Sequence, residues 1–284
     1  MSRIKVTNAL ERIDEVNWRA TVLALVFGFG ASAHSARADE GMRSHPIVLR
    51  DCAIACPELV VVKAGDFFMG SSVDEERRRG IPKRFRGYST PLHRVSIEHD
   101  FALGKFAITR SQFALFVRNT GYLAADQCDP VISDLTWRNP GFPQMNTDPV
   151  VCVTWDDANA YIAWLSTKTG HHYRLPSEAE WEFAARQGMS IETASKLQHE
   201  HVNHLGISGM LDGVAQWTKD CWNKSFLGAP SDGAPWLDGT CTQRVIRGDD
   251  PFGIGAWVVR LTNRNWQERT RAYTKVGFRV ARDL

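Results

Sequence analysis

Apolar positions recur at the helical period in three stretches of this chain, and each stretch is punctuated at its ends. The first begins at Thr109, with Gln112 three residues on in a capping-box pattern. Phe113, Phe116 and Val117 fall on one face, and Gly121 closes it. The second is capped by Thr154, carries Ala158, Tyr161, Ile162 and Leu165 on one side, and ends at Gly170. In the third, Ser177 follows Pro176 and faces Glu180 in a reciprocal cap, and Trp181, Ala184 and Ala185 form the buried side. The carboxylates of these motifs read as caps rather than as catalytic acids.

Shorter apolar runs predict strands. Leu59–Val62 and 66–69 flank a turn at Lys63-Ala64-Gly65, and His93–Ile97 and 101–106 follow. After Gly188 the regular pattern dissolves. From Gly206 onward the chain is rich in Gly, Asp, Asn and Trp, with short strand-like pieces around 243–247 and 278–281. There is no linker rich in Pro, Gly and Ser, no repeat and no low-complexity segment. The pattern predicts one α+β domain with few long elements and much irregular backbone.

The N-terminus has a different character. A mixed-charge leader, 1–19, precedes an apolar run over 20–33 that is shorter than the about 20 residues a membrane span needs. Arg19 before the run and Ala36-Arg37-Ala38 after it fit a signal peptide over 1–38, cleaved after Ala38. Glu11, Asp14 and Glu15 are untypical of such a leader and keep an uncleaved membrane anchor as the alternative. A buried helix is the third reading, and no amphipathic pattern supports it. The expectation is a periplasmic or secreted protein with no membrane span in its mature part: a lead-in over 39–58 and a domain over 59–284.

Charge narrows the partners. The 34 basic and 32 acidic residues include five and three, respectively, within residues 1–38, so the mature chain is close to neutral. That leaves no electrostatic case for nucleic acid or an anionic membrane surface. The run Glu75-Glu76-Arg77-Arg78-Arg79, extended by Lys83, Arg84 and Arg86, reads as a solvated loop rather than a phosphate site.

All six cysteines follow the leader, and in an exported protein an even number reads as disulfides. Fifteen connectivities are open to six cysteines. The spacing suggests Cys52 with Cys56, Cys128 with Cys152, and Cys221 with Cys241. Each of the last two would staple a loop worth roughly 3 kcal/mol. Zinc is the competing reading, but Cys52 and Cys56 have no second thiol or histidine pair at finger spacing.

Ligand chemistry gathers in one place, His199-Glu200-His201-x2-His204. Three imidazoles and a carboxylate suit iron, zinc or copper, and a polar solvated loop explains them equally. Asp249 and Asp250 offer oxygen ligands or an acid–base pair, although Gly-Asp-Asp-Pro is also turn chemistry. His171-His172, after Gly170, suit a helix C-terminus.

Several ordered blocks together resemble the formylglycine-generating enzyme (sulfatase-modifying factor) family. Val61-Val62-Lys63-Ala64-Gly65-Asp66-Phe67-Phe68-Met69-Gly70-Ser71 is similar to the family's opening strand pair, and Pro91-Leu92-His93-Arg94-Val95 to its next strand. Pro149-Val150-Val151-Cys152-Val153-Thr154-Trp155 leads into the second helix as the family does. The helix motif Tyr173-Arg174-Leu175-Pro176-Ser177-Glu178-Ala179-Glu180-Trp181-Glu182-Phe183 resembles the family signature. Arg244-Val245-Ile246-Arg247-Gly248, Arg260-x3-Arg264 and the terminal Gly277-Phe278-Arg279-Val280-Ala281-Arg282 continue the likeness, which runs from about Glu58 to Leu284. The resemblance implies the family's C-type-lectin-like α+β fold.

The departures bear on activity. Copper-dependent members follow the counterpart of Arg247-Gly248 with a second Gly, a Ser and two Cys five residues apart. Here the cysteine positions fall on Gly253 and Val258 and the serine position on Asp250. Glycine and valine offer no ligand where Cu(I) needs thiolates. A family calcium site also loses two donors, with Gly213 in place of an Asn and Gln216 in place of a Glu, which puts calcium in doubt. The stretch between Arg186 and Gly206 is shortened against the family.

The wider superfamily includes sulfoxide synthases with an extra iron-binding helical domain, periplasmic oxidases that mature peptide siderophores, and members that only bind partners. This chain has no room for the helical domain, and its architecture is closer to the siderophore-maturing oxidases. The resemblance therefore implies an exported oxidoreductase-like protein acting on a peptide or peptide-derived small molecule, by a route other than the copper two-cysteine mechanism. Its expected groove is lined by Asp250, Trp257, Arg260 and Arg264. Asp250 and the two arginines are the catalytic candidates, and Trp257 and the arginines are the substrate contacts. His199, His201 and His204 are the candidate metal ligands. The alternative is a non-catalytic binding or assembly module of the cell envelope, whose partner is an envelope protein.

Overall fold

The strand pair expected on either side of Lys63-Ala64-Gly65 forms, but its two members enter different sheets. A computed structural model describes residues 46–128, 134–187, 202–249 and 260–284. Its strands are β1 (Val48–Leu49), β2 (Leu59–Val62), β3 (Gly65–Met69), β4 (His93–Ile97), β5 (Phe101–Gly104), β6 (Tyr173–Arg174), β7 (Ala215–Trp222), β8 (Thr240–Gly248), β9 (Asn265–Glu268), β10 (Val276–Phe278) and β11 (Ala281–Asp283). Its helices are α1 (Val73–Arg78), α2 (Arg110–Thr120), α3 (Trp155–Thr169) and α4 (Glu178–Arg186).

An antiparallel sheet runs β1-β2-β5-β11-β6, a second runs β10-β7-β8-β9, and β3 pairs with β4 alone. The hand-over between β2 and β3 is held by Asp100. Its carboxylate accepts from the Ala64 amide at 2.8 Å and from Lys63 Nζ at 2.7 Å. The corner of one segment is thereby tied to the corner between β4 and β5.

All three predicted helices form with the expected caps. Thr109, Thr154 and Ser177 each accept from the backbone amide three residues on, while the side chain of that residue returns to the cap amide. Such caps contribute about 1 kcal/mol each. Gly121 and Gly170 close α2 and α3 in the left-handed conformation. The inward faces of these two helices meet in an aromatic cluster of Phe113, Phe116, Tyr161 and Phe278. The Tyr161 hydroxyl lies there without a hydrogen-bond partner, and burial raises its pKa.

Two strand expectations are corrected. The run over 101–106 stops as a strand at Gly104: the Lys105 amide still reaches the Glu58 carbonyl opposite it, but the Lys105 carbonyl is taken by the Ser208 amide. The piece at 278–281 is two strands in two sheets: Phe278 pairs parallel with Trp217, and Ala281 pairs antiparallel with Leu103. Arg279 sits at the switch. Its buried guanidinium donates to the carbonyls of Gly104 on β5, Ser208 and Gly209 and to Gln216 Oε1 on β7, which binds the two sheets together.

The disulfides are Cys52–Cys56, Cys128–Cys152 and Cys221–Cys241, the pairs the spacing suggested, and no cysteine is left free. No thiolate therefore remains for zinc. Among the described residues, no helix is long and apolar enough to cross a membrane.

Candidate active site

Helix α4 carries two carboxylates one turn apart, Glu178 and Glu182, and both point into the protein with almost no exposure. Buried carboxylates persist only when paired, and here arginines from distant strands supply the pairing. Arg247, at the end of β8, donates from Nη1 to Glu178 at 2.8 Å and from Nη2 to Glu182 at 2.6 Å. Arg264, just before β9, makes a two-pronged contact with Glu178, Nε and Nη2 reaching its two oxygens at 2.8 and 2.7 Å. Arg186 closes the far end on Glu182 at 2.6 Å. The result is a chain of alternating charge, Arg264–Glu178–Arg247–Glu182–Arg186.

Burial opposes ionisation of Glu182. The charges of Arg247 and Arg186 and the Gly70 amide prevail and hold its pKa below the ordinary carboxylate value. Arg247 is raised by the same partners against the same burial. Aromatic faces complete the packing. Arg247 lies 5.1 Å from the centre of the Trp181 ring, and Arg264 lies 4.9 Å from Trp222 and 4.2 Å from Phe226.

This network grips the two stems of one connection. β8 and β9 pair antiparallel, Val245 opposite Trp266, and the chain between them spans 249–264. Arg247 on the outgoing stem also donates to the Leu261 carbonyl on the returning stem. Gly248 turns out of β8 with φ of 109°, where an added Cβ would press on the Met210 carbonyl.

Beside the returning stem lies an open cavity of about 500 Å³ walled by Tyr88, Trp222 and Trp266, with Asn223, Lys224 and Gln243 among its polar lining. Tyr88 meets Trp222 edge-on at 5.2 Å, and Trp222 lies 6.4 Å from Trp266. Arg264 anchors this wall from below, donating to the carbonyls of Tyr88 and Asn223. An aromatic wall bordered by polar side chains is a common chemistry of a small-molecule site. A second cleft, about 460 Å³, is lined by Arg174, Glu180, Asp232 and Asp283 among others. Three of its charges are spent on each other: Arg174 pairs with both Glu180 and Asp283.

One further carboxylate belongs to the site. Asp220 on β7 accepts from the Glu178 amide, the first turn of α4, at 2.7 Å and from the Trp236 amide at 2.8 Å. Burial, and then the nearby charge of Glu178, push its pKa up to about 7 in spite of those amides. Asp220 is thus the described carboxyl group poised to change protonation near neutrality.

Of the residues the sequence singled out, Arg264 is inside the network. Arg260 is buried on the returning stem and donates to Thr262 Oγ1 at 3.1 Å and Asn263 Oδ1 at 3.3 Å. Burial pushes its pKa down to about 10. Asp250 and Trp257 lie outside the described residues, as do His199 and His201. His204 is exposed, and its amide donates to the Gln187 carbonyl. Among the described residues no group of three His, Cys, Asp or Glu side chains gathers as a metal site. Sequence reasoning missed Glu178, Glu182, Arg247 and Asp220. The available signal was Glu178 and Glu182 four apart on one helix face, beside the buried Trp181.

The residues present do not fit either family metal. The copper pair is replaced by Gly253 and Val258, and every cysteine is in a disulfide, so the chain holds no thiolate pair. At the calcium position, Gln216 Oε1 accepts from Trp181 Nε1 and from the Arg279 guanidinium, each at 3.0 Å. An oxygen already facing a guanidinium is a poor ligand for a second cation.

Comparison with known proteins places this geometry. A model of the sulfatase-modifying factor enzyme 1-like domain matches residues 46–201 and 190–284. The formylglycine-generating enzyme of Streptomyces coelicolor is 30% identical, over 79% of this chain and 88% of that protein. The serine/threonine-protein kinase Pkn1 of Chlamydia trachomatis is 26% identical over 80% of this chain, which spans only 38% of the kinase's own length. Among solved structures, PvdO from Pseudomonas aeruginosa superposes with a TM-score of 0.68 at 30% identity, covering 84% of this chain and 98% of that one.

Proposed function

Because the chain belongs to the sulfatase-modifying factor enzyme 1-like family, we propose that it is an exported oxidoreductase acting on a peptide or peptide-derived small molecule. The observation that carries this reading is the aromatic wall of Tyr88, Trp222 and Trp266 set against the returning stem of the 249–264 connection. A family built to oxidise a residue within a polypeptide needs such a groove beside firmly held stems. The three disulfides support export, since such bonds persist in oxidising compartments.

Oxidation here does not use a cysteine-bound copper, for want of the cysteines. The chain's own residues bind and orient. The aromatic wall takes a flat part of the substrate. The ion-pair chain fixes both stems of the connection beside the aromatic wall, and fixed geometry is what orients a bound molecule. Arg264, saturated by Glu178 and two carbonyls, is a positioning residue in this reading, and Arg260 stands on the stem nearest the connection. Asp250 is assigned as the acid–base group and Trp257 as a substrate contact, on their places in the sequence.

The test compares the peptide-derived products exported by cells carrying the intact gene, a deletion and Trp266→Ala. The deletion is expected to accumulate a compound heavier by two hydrogen atoms, which the purified protein converts when dioxygen is supplied as the two-electron acceptor and the Trp266 variant converts poorly. Identical product profiles in all three strains, together with a stable complex between the protein and an envelope partner, would replace this reading by the binding-module one.

A further inference from the structure

Arg244 is a buried cation with an unusual companion. It lies directly opposite Cys221 in the β7–β8 pairing, and its Nη1 is 3.1 Å from Cys221 Sγ. Its guanidinium stacks on the Trp155 ring at 4.2 Å, and Nη1 also donates to the Lys219 carbonyl. No carboxylate lies within ion-pair distance of it among the described residues, and its Nε has no hydrogen-bond partner. Burial, with the charge of Arg269, holds its pKa below the ordinary value against the opposing charges of Asp220 and Asp156, neither of them in contact with it. A desolvated cation without a paired anion is costly, and the atom beside it is one sulfur of a disulfide.

The two sulfurs of Cys221–Cys241 are not equivalent. Cys221 is 1% exposed, whereas Cys241 is partly exposed. The Leu237 carbonyl lies 3.1 Å from Cys241 Sγ and 3.4 Å from Cys221 Sγ, ready to accept from a thiol there. The Cys128–Cys152 disulfide is buried at both residues, and Cys52–Cys56, which also joins a partly exposed to a buried cysteine, has no guanidinium at hydrogen-bond distance from its sulfurs among the described residues.

We propose that Cys221–Cys241 is a thiol–disulfide exchange site in which Cys241 is the sulfur attacked and Cys221 the sulfur released to Arg244. An incoming thiolate attacks Cys241 Sγ, the Cys221–Cys241 bond breaks, and its electron pair leaves on Cys221 as a thiolate. Arg244 then gains the anion it lacks in the oxidised chain, a charge-assisted contact in a dry site. A second thiolate attacks the partner's sulfur in the mixed disulfide and releases Cys241, which takes a proton from water and donates it to the Leu237 carbonyl. The chain gains two electrons, and the two partner thiols leave as a disulfide. Stabilising the leaving thiolate both speeds exchange and makes the bond easier to reduce. The inference does not depend on the substrate reading above.

The experiment equilibrates the full, folded chain in glutathione buffers of graded ratio, quenches with acid, alkylates and maps each cysteine by mass. Cys221–Cys241 is expected to open at a ratio that leaves the other two disulfides closed, with the transient glutathione adduct on Cys241. Arg244→Gln is expected to make it at least about tenfold harder to reduce, equivalent to about 30 mV for this two-electron couple. Arg244→Lys, which keeps the charge, is expected to recover most of that shift. Three disulfides that open together, an adduct on Cys221, or an Arg244→Gln equilibrium equal to the parent's would each overturn the proposal. Should Arg244→Gln fail to fold, the order of opening and the adduct's position in the unaltered chain still decide.

Discussion

Arg247 holds Glu178 and Glu182 at once, one through each terminal nitrogen, at 2.8 and 2.6 Å. The contact joins the end of β8 to two successive turns of α4. Arg247→Met would leave Glu182 with Arg186 and the Gly70 amide and Glu178 with Arg264 as the one remaining guanidinium, both carboxylates being buried. The expected loss is about 3–5 kcal/mol, the usual cost of orphaning a buried ion-pair partner. Urea denaturation of parent and variant reads it directly; a loss below about 1 kcal/mol would mean the network is not a structural unit.

Asp220 sets a pH dependence with a definite sign. Its native pKa of about 7 lies above the unfolded value of roughly 4. The native state therefore binds the proton more tightly, and Asp220 subtracts stability as the pH rises from about 4 to about 7, with no further change above. Denaturation curves for the parent and Asp220→Asn, run at about pH 5 and about pH 7.5, should show a smaller fall in the variant. Equal falls would place the Asp220 titration elsewhere.

Gly277, where β10 pairs with β7, has no room for a side chain. A Cβ there would run into the Val150 carbonyl oxygen, a backbone atom with nowhere to go. Gly277→Ala should cost upwards of about 1–3 kcal/mol, the usual range for overpacking, and lower the thermal midpoint. An unchanged midpoint would show that the two backbones can separate freely.

The Cys128–Cys152 disulfide ties the chain after α2 to the chain entering α3 across 24 residues. Replacing both cysteines by serine should lower stability by about 3 kcal/mol on the chain-entropy account. Because the bond is buried, the unaltered protein in mild glutathione should keep it closed. Reduction at this pair before the others would contradict the burial argument.

The helices were legible in the sequence because their determinants are local. Thr109, Thr154 and Ser177 cap amides three residues away, Gly121 and Gly170 supply the left-handed turn, and the apolar faces follow the helical period. The disulfide pairs were legible for a similar reason, since each joins cysteines at most 24 residues apart. The ordered family blocks carried the fold class as well. What only the tertiary structure decided lies at long range. Glu178 and Glu182 look like ordinary helix carboxylates until Arg247 and Arg264, separated from Glu178 by 69 and 86 residues, are seen to neutralise them. The division of 278–281 between two sheets follows from Arg279 reaching backbone carbonyls about 70 and 175 residues away. Local sequence reports how a segment satisfies its own backbone. It does not report which distant charge will make burial of a polar side chain tolerable, and in this protein that pairing builds the site.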